Sequence, residues 1–163
     1  MHQPAHQTEQ DVRVRDASTV AAFLEVAPDG TVTIYSGKVE LGTGVATALT
    51  QIVASELGVP FDHVRIVMAD TAQTPDQGTT AGSKTIQIAG PLLQRAATAA
   101  RQELLKRAAG QLEVAPADLT IRDGIVQPVG GSTAAIPIGG LATEPFTSAI
   151  PDALDLPPIP SHT

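Results

Sequence analysis

The stretch Gly78-Thr79-Thr80-Ala81-Gly82-Ser83-Lys84-Thr85 decides how the rest of this chain is read. It is rich in glycine and hydroxyl groups, carries a lysine near its end, and stands directly before an alanine- and leucine-rich segment with helical spacing. Backbone N–H groups, a helix N-terminus, hydroxyl donors and an ammonium group converge there, a combination suited to an anion such as a phosphate. An ordinary helix-capping loop is the competing reading, because Ser and Thr favour N-caps for their own reasons.

Downstream, Gln87 to about Ala109 places Ile88, Leu92, Ala96, Ala99 or Ala100, Leu104 and Ala108 at helical spacing, with Gly110 as the stop. Its alanine-rich face permits close approach of a neighbour. Arg95, Arg101, Lys106 and Arg107 are expected on the solvated side, with cations toward the C-terminus where the dipole favours them. Val114 to Asp118 reads as a short helical turn. Leu119 to Arg122 and Ile125 to Gln127 flank Asp123-Gly124, a strong hairpin signal.

Upstream, Ala22 to Val26 and Thr31 to Ser36 are β-prone runs separated by Ala27-Pro28-Asp29-Gly30, where Pro28 presets φ and Gly30 tolerates a positive φ. The second run leads through Gly37-Lys38-Val39-Glu40-Leu41-Gly42-Thr43-Gly44 into a segment with Val45, Leu49, Ile52, Val53 and Leu57 on one face. Gly58 stops that helix and Pro60 prevents its return. A strand thus delivers a second glycine-rich loop to a second helix start, although Gly-x-Gly alone also fits a plain tight turn. Val64 to Ala69 is a compact strand, and His63 before it reads as a surface residue. The order β-β-α-β-α-β-β predicts an α+β fold in two layers, with both helix starts near one sheet edge.

Three segments follow from this pattern. Residues 1–18 form a polar arm without periodicity, residues 19–128 the folded domain, and residues 129–163 a Pro- and Gly-rich extended arm without Lys or Arg. Ile136, Ile138, Leu141, Phe146, Ile150, Leu154, Leu156 and Ile159 are too apolar for a solvated tail, so this arm is expected to pack on another chain.

Composition narrows the function classes. A formal charge of -7 over 163 residues, without a basic stripe, argues against nucleic acid. No apolar run suits a membrane span, and no secretory leader is evident, so the expected location is cytoplasmic, or periplasmic where a partner carries the export signal. Cysteine is absent, which excludes thiolate metal sites and iron–sulfur ligation within these residues. His2, His6, His63 and His162 are too scattered for a zinc set. The phosphate-binding pattern G-x-x-x-x-G-K-[ST] is nearly met from Gly78, but Ser83 stands at the second glycine and the preceding strand ends near Asp70, too far upstream. A nucleotide-binding protein of that kind is therefore a weaker alternative.

A wider pattern resembles a known family. Ser36-Gly37-Lys38-Val39-Glu40-Leu41-Gly42-Thr43-Gly44, Gln51-Ile52-Val53-Ala54, Leu57-Gly58-Val59-Pro60, Val64-Arg65-Ile66-Val67, Asp70-Thr71, Thr74-Pro75-Asp76 and Thr80-Ala81-Gly82-Ser83 recur in order and spacing. From about Phe23 to Val126 the chain is similar to one module of the molybdenum-binding subunit of the xanthine dehydrogenase/aldehyde oxidase family, nearest its isoquinoline 1-oxidoreductase and nicotinate dehydrogenase branch. The resemblance implies that Gly42, Thr43 and Gly44 lie beside the metal and its dithiolene, and that Ala81, Gly82, Ser83, Lys84 and Thr85 hold the phosphates of a molybdopterin cytosine dinucleotide. Thr43 stands where many members carry Gln, a shorter side chain in a position that reaches toward the metal's apical oxygen. The family hydroxylates aldehydes or N-heteroaromatic small molecules, taking oxygen from water.

The resemblance also implies what these residues lack. The glutamate base belongs to a larger molybdenum-binding partner subunit, and iron–sulfur clusters and any flavin lie on partner chains. Glu40 reads as a loop-bracing carboxylate, so no catalytic and no metal-ligating residue is assigned here. The chain is expected to be a split subunit or a fragment, inactive alone. A non-catalytic assembly module of the same fold is the other alternative.

Overall fold

The computed structural model describes residues 17–37, 44–68, 74, 85–131 and 133–152. Residues 1–16 and 153–163, with both glycine-rich loops apart from their ends, lie outside that set. A 3-10 turn (Val20–Ala22) leads into strand β1 (Leu24–Val26), which pairs antiparallel with β2 (Val32–Ser36). The turn between them is closed from Ala27 N–H to Thr31 O at 2.8 Å, and Thr31 N–H donates to Asp29 Oδ1 at 2.8 Å. Gly30 there has φ 85°, the left-handed value for which glycine is the natural occupant.

Helix α1 (Val45–Leu57) carries the chain back so that β3 (Val64–Met68) pairs with β2 in parallel, from Val32↔Val64 to Ser36↔Met68. This crossover makes the first sheet β1-β2-β3 mixed, a feature the strand pattern did not specify. Helix α2 (Thr85–Leu112) packs along α1, and the chain then forms an antiparallel second sheet of β4 (Leu119–Arg122), β5 (Ile125–Pro128) and β6 (Ile136–Pro137), ending in a one-turn helix α3 (Ile138–Leu141). The α+β fold and the predicted order of its first seven elements are as the sequence indicated.

The core joins Val20, Phe23, Leu24 and Ile34 to Leu49, Val53 and Leu57 of α1, and to Leu93, Ala96, Ala100 and Leu104 of α2. Each large aliphatic side chain buried there contributes about 1.5–3 kcal/mol. The stripe on α2 is as predicted at Ala96, Ala99, Ala100, Leu104 and Ala108 and departs from the prediction only near the start of the helix. Ala89, Leu93 and Ala97 face inward, while Ile88 is 55% exposed and Leu92 half-buried. Paired apolar residues at 88–89 and 92–93 allow either stripe, and the smaller residue wins at the helix contact: a Cβ on neighbouring Gly90 would stand 3.4 Å from Ile52 Cδ1.

Three further expectations are corrected. Helix α2 runs past Gly110 to Leu112, because the chain reverses at Glu113 instead, with φ 54° and Val114 N–H donating to Ala109 O at 3.3 Å. Three of the arginines bind carbonyls across the fold: Arg95 Nη1 reaches Asp152 O at 2.6 Å, Arg101 Nη1 reaches Glu56 O at 3.2 Å, and Arg107 Nη1 reaches Leu141 O at 2.9 Å. The apolar residues after Pro128 also serve their own chain, with Ile138, Leu141 and Phe146 buried in the same core. Backbone pairing makes that return possible: Ile138 N–H donates to Gly124 O, Val20 N–H to Ser148 O, and Ile150 N–H to Ser18 O. Of the other residues expected to pack on a partner, Leu154, Leu156 and Ile159 lie outside the described set.

Candidate cofactor-binding edge

Parallel pairing puts the carboxyl ends of β2 and β3 side by side, at Ser36 and Met68. Each strand feeds a loop that ends at a helix start, residues 37–44 before α1 and 69–84 before α2. In open sheets with parallel strands, that edge is where ligands are received. Ser36, fully buried and polar, closes the strand side of this edge. Sequence reasoning did not single it out, because a serine ending a β-prone run reads as a solvated strand end until the sheet and its neighbours are known.

The two helices run in the same direction. Ile52 of α1 abuts Gly90 of α2; four residues on, the Thr98 hydroxyl donates to Glu56 Oε1 at 2.9 Å; and the Arg101 guanidinium donates to the Glu56 carbonyl at 3.2 Å. Rising numbers in one helix match rising numbers in the other, so both N-termini lie at the end where β2 and β3 finish. Two helix starts, whose first-turn N–H groups have no acceptor within their own helix, and two positive dipole ends thereby share one edge.

The starts of these helices carry little that would compete with an anion. Gly44 is the N-cap of α1, with φ 72°, no side-chain cap bond and open space where a Cβ would stand. Neither helix has an acidic residue in its first turn. Of the eight residues the sequence assigned to the cofactor, Gly44 takes this capping place and Thr85 is the first residue of α2. Gly42, Thr43, Ala81, Gly82, Ser83 and Lys84 lie outside the described residues. His63 is exposed in a 3-10 turn, away from this edge, as expected of a surface residue.

Among the described residues no three His, Cys, Asp or Glu side chains converge as a metal set, and no helix is long and apolar enough to cross a membrane. A groove of about 510 Å³ follows β1 and residues 142–146.

The described donor set fits a phosphorylated cofactor: main-chain N–H groups at two co-directional helix starts, a capping glycine and no acidic neighbour in either first turn. Comparison with known proteins agrees. A family model for the molybdopterin cofactor-binding domain matches residues 5–152. A nicotinate dehydrogenase subunit of Pseudomonas putida is 46% identical over 114 residues, which is 70% of this chain and 10% of that protein. The large subunit of nicotine 6-hydroxylase from Paenarthrobacter nicotinovorans is 33% identical over 121 residues, 74% of this chain and 15% of the relative. Among solved structures, quinoline 2-oxidoreductase from Pseudomonas putida 86 superimposes with a TM-score of 0.62 at 32% identity, covering 73% of this chain and 15% of that one. A Cu,Mo-CO dehydrogenase gives 0.63 at 28% identity over 74% of this chain and 16% of its own. The chain therefore spans only about a tenth to a sixth of the length of these relatives. With the fold, the edge and the sequence in accord, the chain belongs to the molybdopterin cofactor-binding domain family, as a molybdenum-binding module of the xanthine dehydrogenase type.

Proposed function

We propose that this module grips a molybdopterin cytosine dinucleotide inside a larger molybdenum hydroxylase, and that its two glycine-rich loops do the gripping. The single observation that carries the reading is the shared edge: α1 and α2 run together, and both begin where the parallel strands β2 and β3 end. The cofactor supplies a redox-active Lewis-acidic metal when bound. The chain's part is positional. Gly82, Ser83 and Lys84 neutralise and orient the phosphates with the α2 dipole, and Gly42, Thr43 and Gly44 let the cofactor approach the main chain at the start of α1. Thr43 presents a short hydroxyl where a long amide would reach farther.

On this reading the base, the iron–sulfur clusters and most of the substrate pocket come from other polypeptide, a larger molybdenum-binding subunit and a cluster-bearing one, in the cytoplasm. The names of three similar proteins, nicotinate dehydrogenase, nicotine 6-hydroxylase and quinoline 2-oxidoreductase, each specify an N-heteroaromatic compound. That favours such a substrate over an aldehyde. Co-purification from the native host followed by elemental analysis tests the proposal. Molybdenum recovered with a larger partner, together with released CMP after hydrolysis, supports it; a chain recovered alone and without metal overturns it.

A further inference from the structure

The helix layer has a face that carries no charge. Residues 45–55 of α1 and 85–94 of α2 contain no Asp, Glu, Lys or Arg, whereas the rest of α2 carries Arg95, Arg101, Glu103, Lys106 and Arg107. At about 1.5 Å per residue, the charge-free stretch reaches about 14–15 Å back from both helix starts, well beyond the first turn in which the dipole is felt. Much of it is open to solvent: Thr47, Gln51 and Ser55 on α1, and Ile88 and Pro91 on α2, are exposed. This outward side lies opposite Leu49, Val53 and Leu57, which face the core. A groove of about 440 Å³ runs there between the helices, lined by Ala48, Gln51, Ile52, Ser55 and Glu56 of α1 and Gln94 of α2. Its single carboxylate is already engaged, since Glu56 Oε1 accepts from the Thr98 hydroxyl at 2.9 Å. Gln87 and Pro91 share the side of Gln94, at i, i+4 and i+7. Pro91 has no N–H, so the Gln87 carbonyl lacks its intrahelical donor.

We propose that this uncharged face docks onto the larger companion polypeptide, which inserts a ridge of apolar and amide or hydroxyl side chains into the groove. This docking presupposes the reading of the chain as one module of a larger enzyme, and it names the surface that holds the module there. A solvated helix face ordinarily mixes both signs of charge, while the centre of a protein interface is depleted of Lys, Glu and Asp. Ala48 and Ser55 are small enough for close approach, and Ile88 supplies exposed apolar area. Gln51, Gln94 and the Gln87 carbonyl offer hydrogen bonds to an uncharged partner. Length points to the occupant: in similar proteins the matching stretch is 10% to 16% of one long polypeptide, so such a face meets a partner far larger than the module. Position agrees, because the face runs directly into the edge where both helices begin and where that partner completes the cofactor site. A second copy is disfavoured by the net charge of -7 that each chain would bring.

The chain has no cysteine, so single introduced thiols report on this face. Gln51→Cys and Ser55→Cys lie on it, and Lys106→Cys, exposed on the charged half of α2, is the control. Each is labelled with a maleimide, in the chain alone and in the enzyme purified with its larger companion from the native host, and the extent is read from the mass of this chain. The first two are expected to react freely in the chain alone and about tenfold or more slowly in the assembly, with Lys106→Cys little changed. Ser55→Lys should lower recovery of assembled enzyme about tenfold, because it buries an unpaired charge at the interface, while the melting temperature of the chain alone stays unchanged. Equal labelling of all three in the assembly, or normal assembly of Ser55→Lys, overturns the proposal without touching the cofactor reading, which stands on molybdenum content. Protection already present in the chain alone also overturns it, and assigns the face to one of the chain's own segments, or to a second copy where protection rises with chain concentration. A chain that recovers no companion removes both readings together.

Discussion

Arg107 lies over Phe146, its guanidinium carbon 5.3 Å from the ring centroid. The same guanidinium donates to the carbonyls of Leu141, Glu144 and Pro145, and its Nη2 also pairs with Glu103 one turn back along α2. One side chain on the long helix thus gathers the end of α3 and the segment after it. A planar fork with several donors can do this, and an ammonium group cannot reproduce it.

Arg107→Ala should lower the stability of the chain by about 1–3 kcal/mol, since it removes the donor to the part-buried Leu141 carbonyl and uncovers Phe146. Arg107→Lys should recover less than half of that loss. Urea denaturation gives the magnitude, and limited proteolysis locates it: cleavage between residues 142 and 152 should appear in Arg107→Ala before cleavage elsewhere.

Glu103 makes this anchor sensitive to acid. Burial alone would raise its pKa, but hydrogen bonds from Ser148 and the charge and hydrogen bond of Arg107 outweigh it and hold the carboxyl below the ordinary value of 4.5. A depressed pKa stabilises the fold above the unfolded-state value and loses that contribution as the pH falls through the folded value. The melting temperature should therefore drop below about pH 4.5 more steeply for the unmodified chain than for Glu103→Gln. Parallel acid profiles would refute the assignment.

Three helix-end positions should respond in opposite senses. Gly58 ends α1 with φ 70°, and a Cβ there would overlap the Ile121 carbonyl oxygen where the helix meets the second sheet. Gly58→Ala should cost more than the roughly 1–2 kcal/mol of left-handed strain alone. Gly110 is helical with open space around it, so Gly110→Ala should stabilise by about 0.5–1 kcal/mol. Glu113→Gly, at the left-handed end of α2, should stabilise by a similar amount. Thermal melts of the three variants check the signs.

At the proposed cofactor edge, Lys84→Glu or Gly82→Val should reduce molybdenum and pterin content of the assembled enzyme severalfold, with assembly itself retained. Gly44→Ala should do so more weakly, because a Cβ at that position meets open space but must adopt the left-handed conformation. Normal metal loading in Lys84→Glu would remove the lysine from the phosphate site. Metal analysis and gel filtration of the same samples separate loading from assembly.

Much of the architecture is local and therefore written in the chain. Pro28 and Gly30 specify the first hairpin, Gly58 and Pro60 end α1, and Asp123-Gly124 joins β4 to β5. These are short-range demands on φ, spacing and hydrogen bonding, which individual residues meet by themselves. Of the candidate site, the sequence also placed Gly44 and Thr85 at the two helix starts, where the structure has them.

Long-range choices belonged to the tertiary structure. At the start of α2 the sequence allowed either Ile88 and Leu92 or Ala89 and Leu93 to face inward, and the packed structure buries the second pair. It left Arg107 on a solvated face, although the carbonyls of residues 141–145 return to claim it. It likewise gave Ile138, Leu141 and Phe146 no partner in this chain, because Val20, Ser148 and Gly124 pair across distances no periodicity records. Residue types and their order determined which elements form and what chemistry their loops suit. The parallel alignment of β2 with β3, and of α1 with α2, determined that two helix starts share one edge, since a shared edge depends on relative direction in space and not on any single stretch of chain.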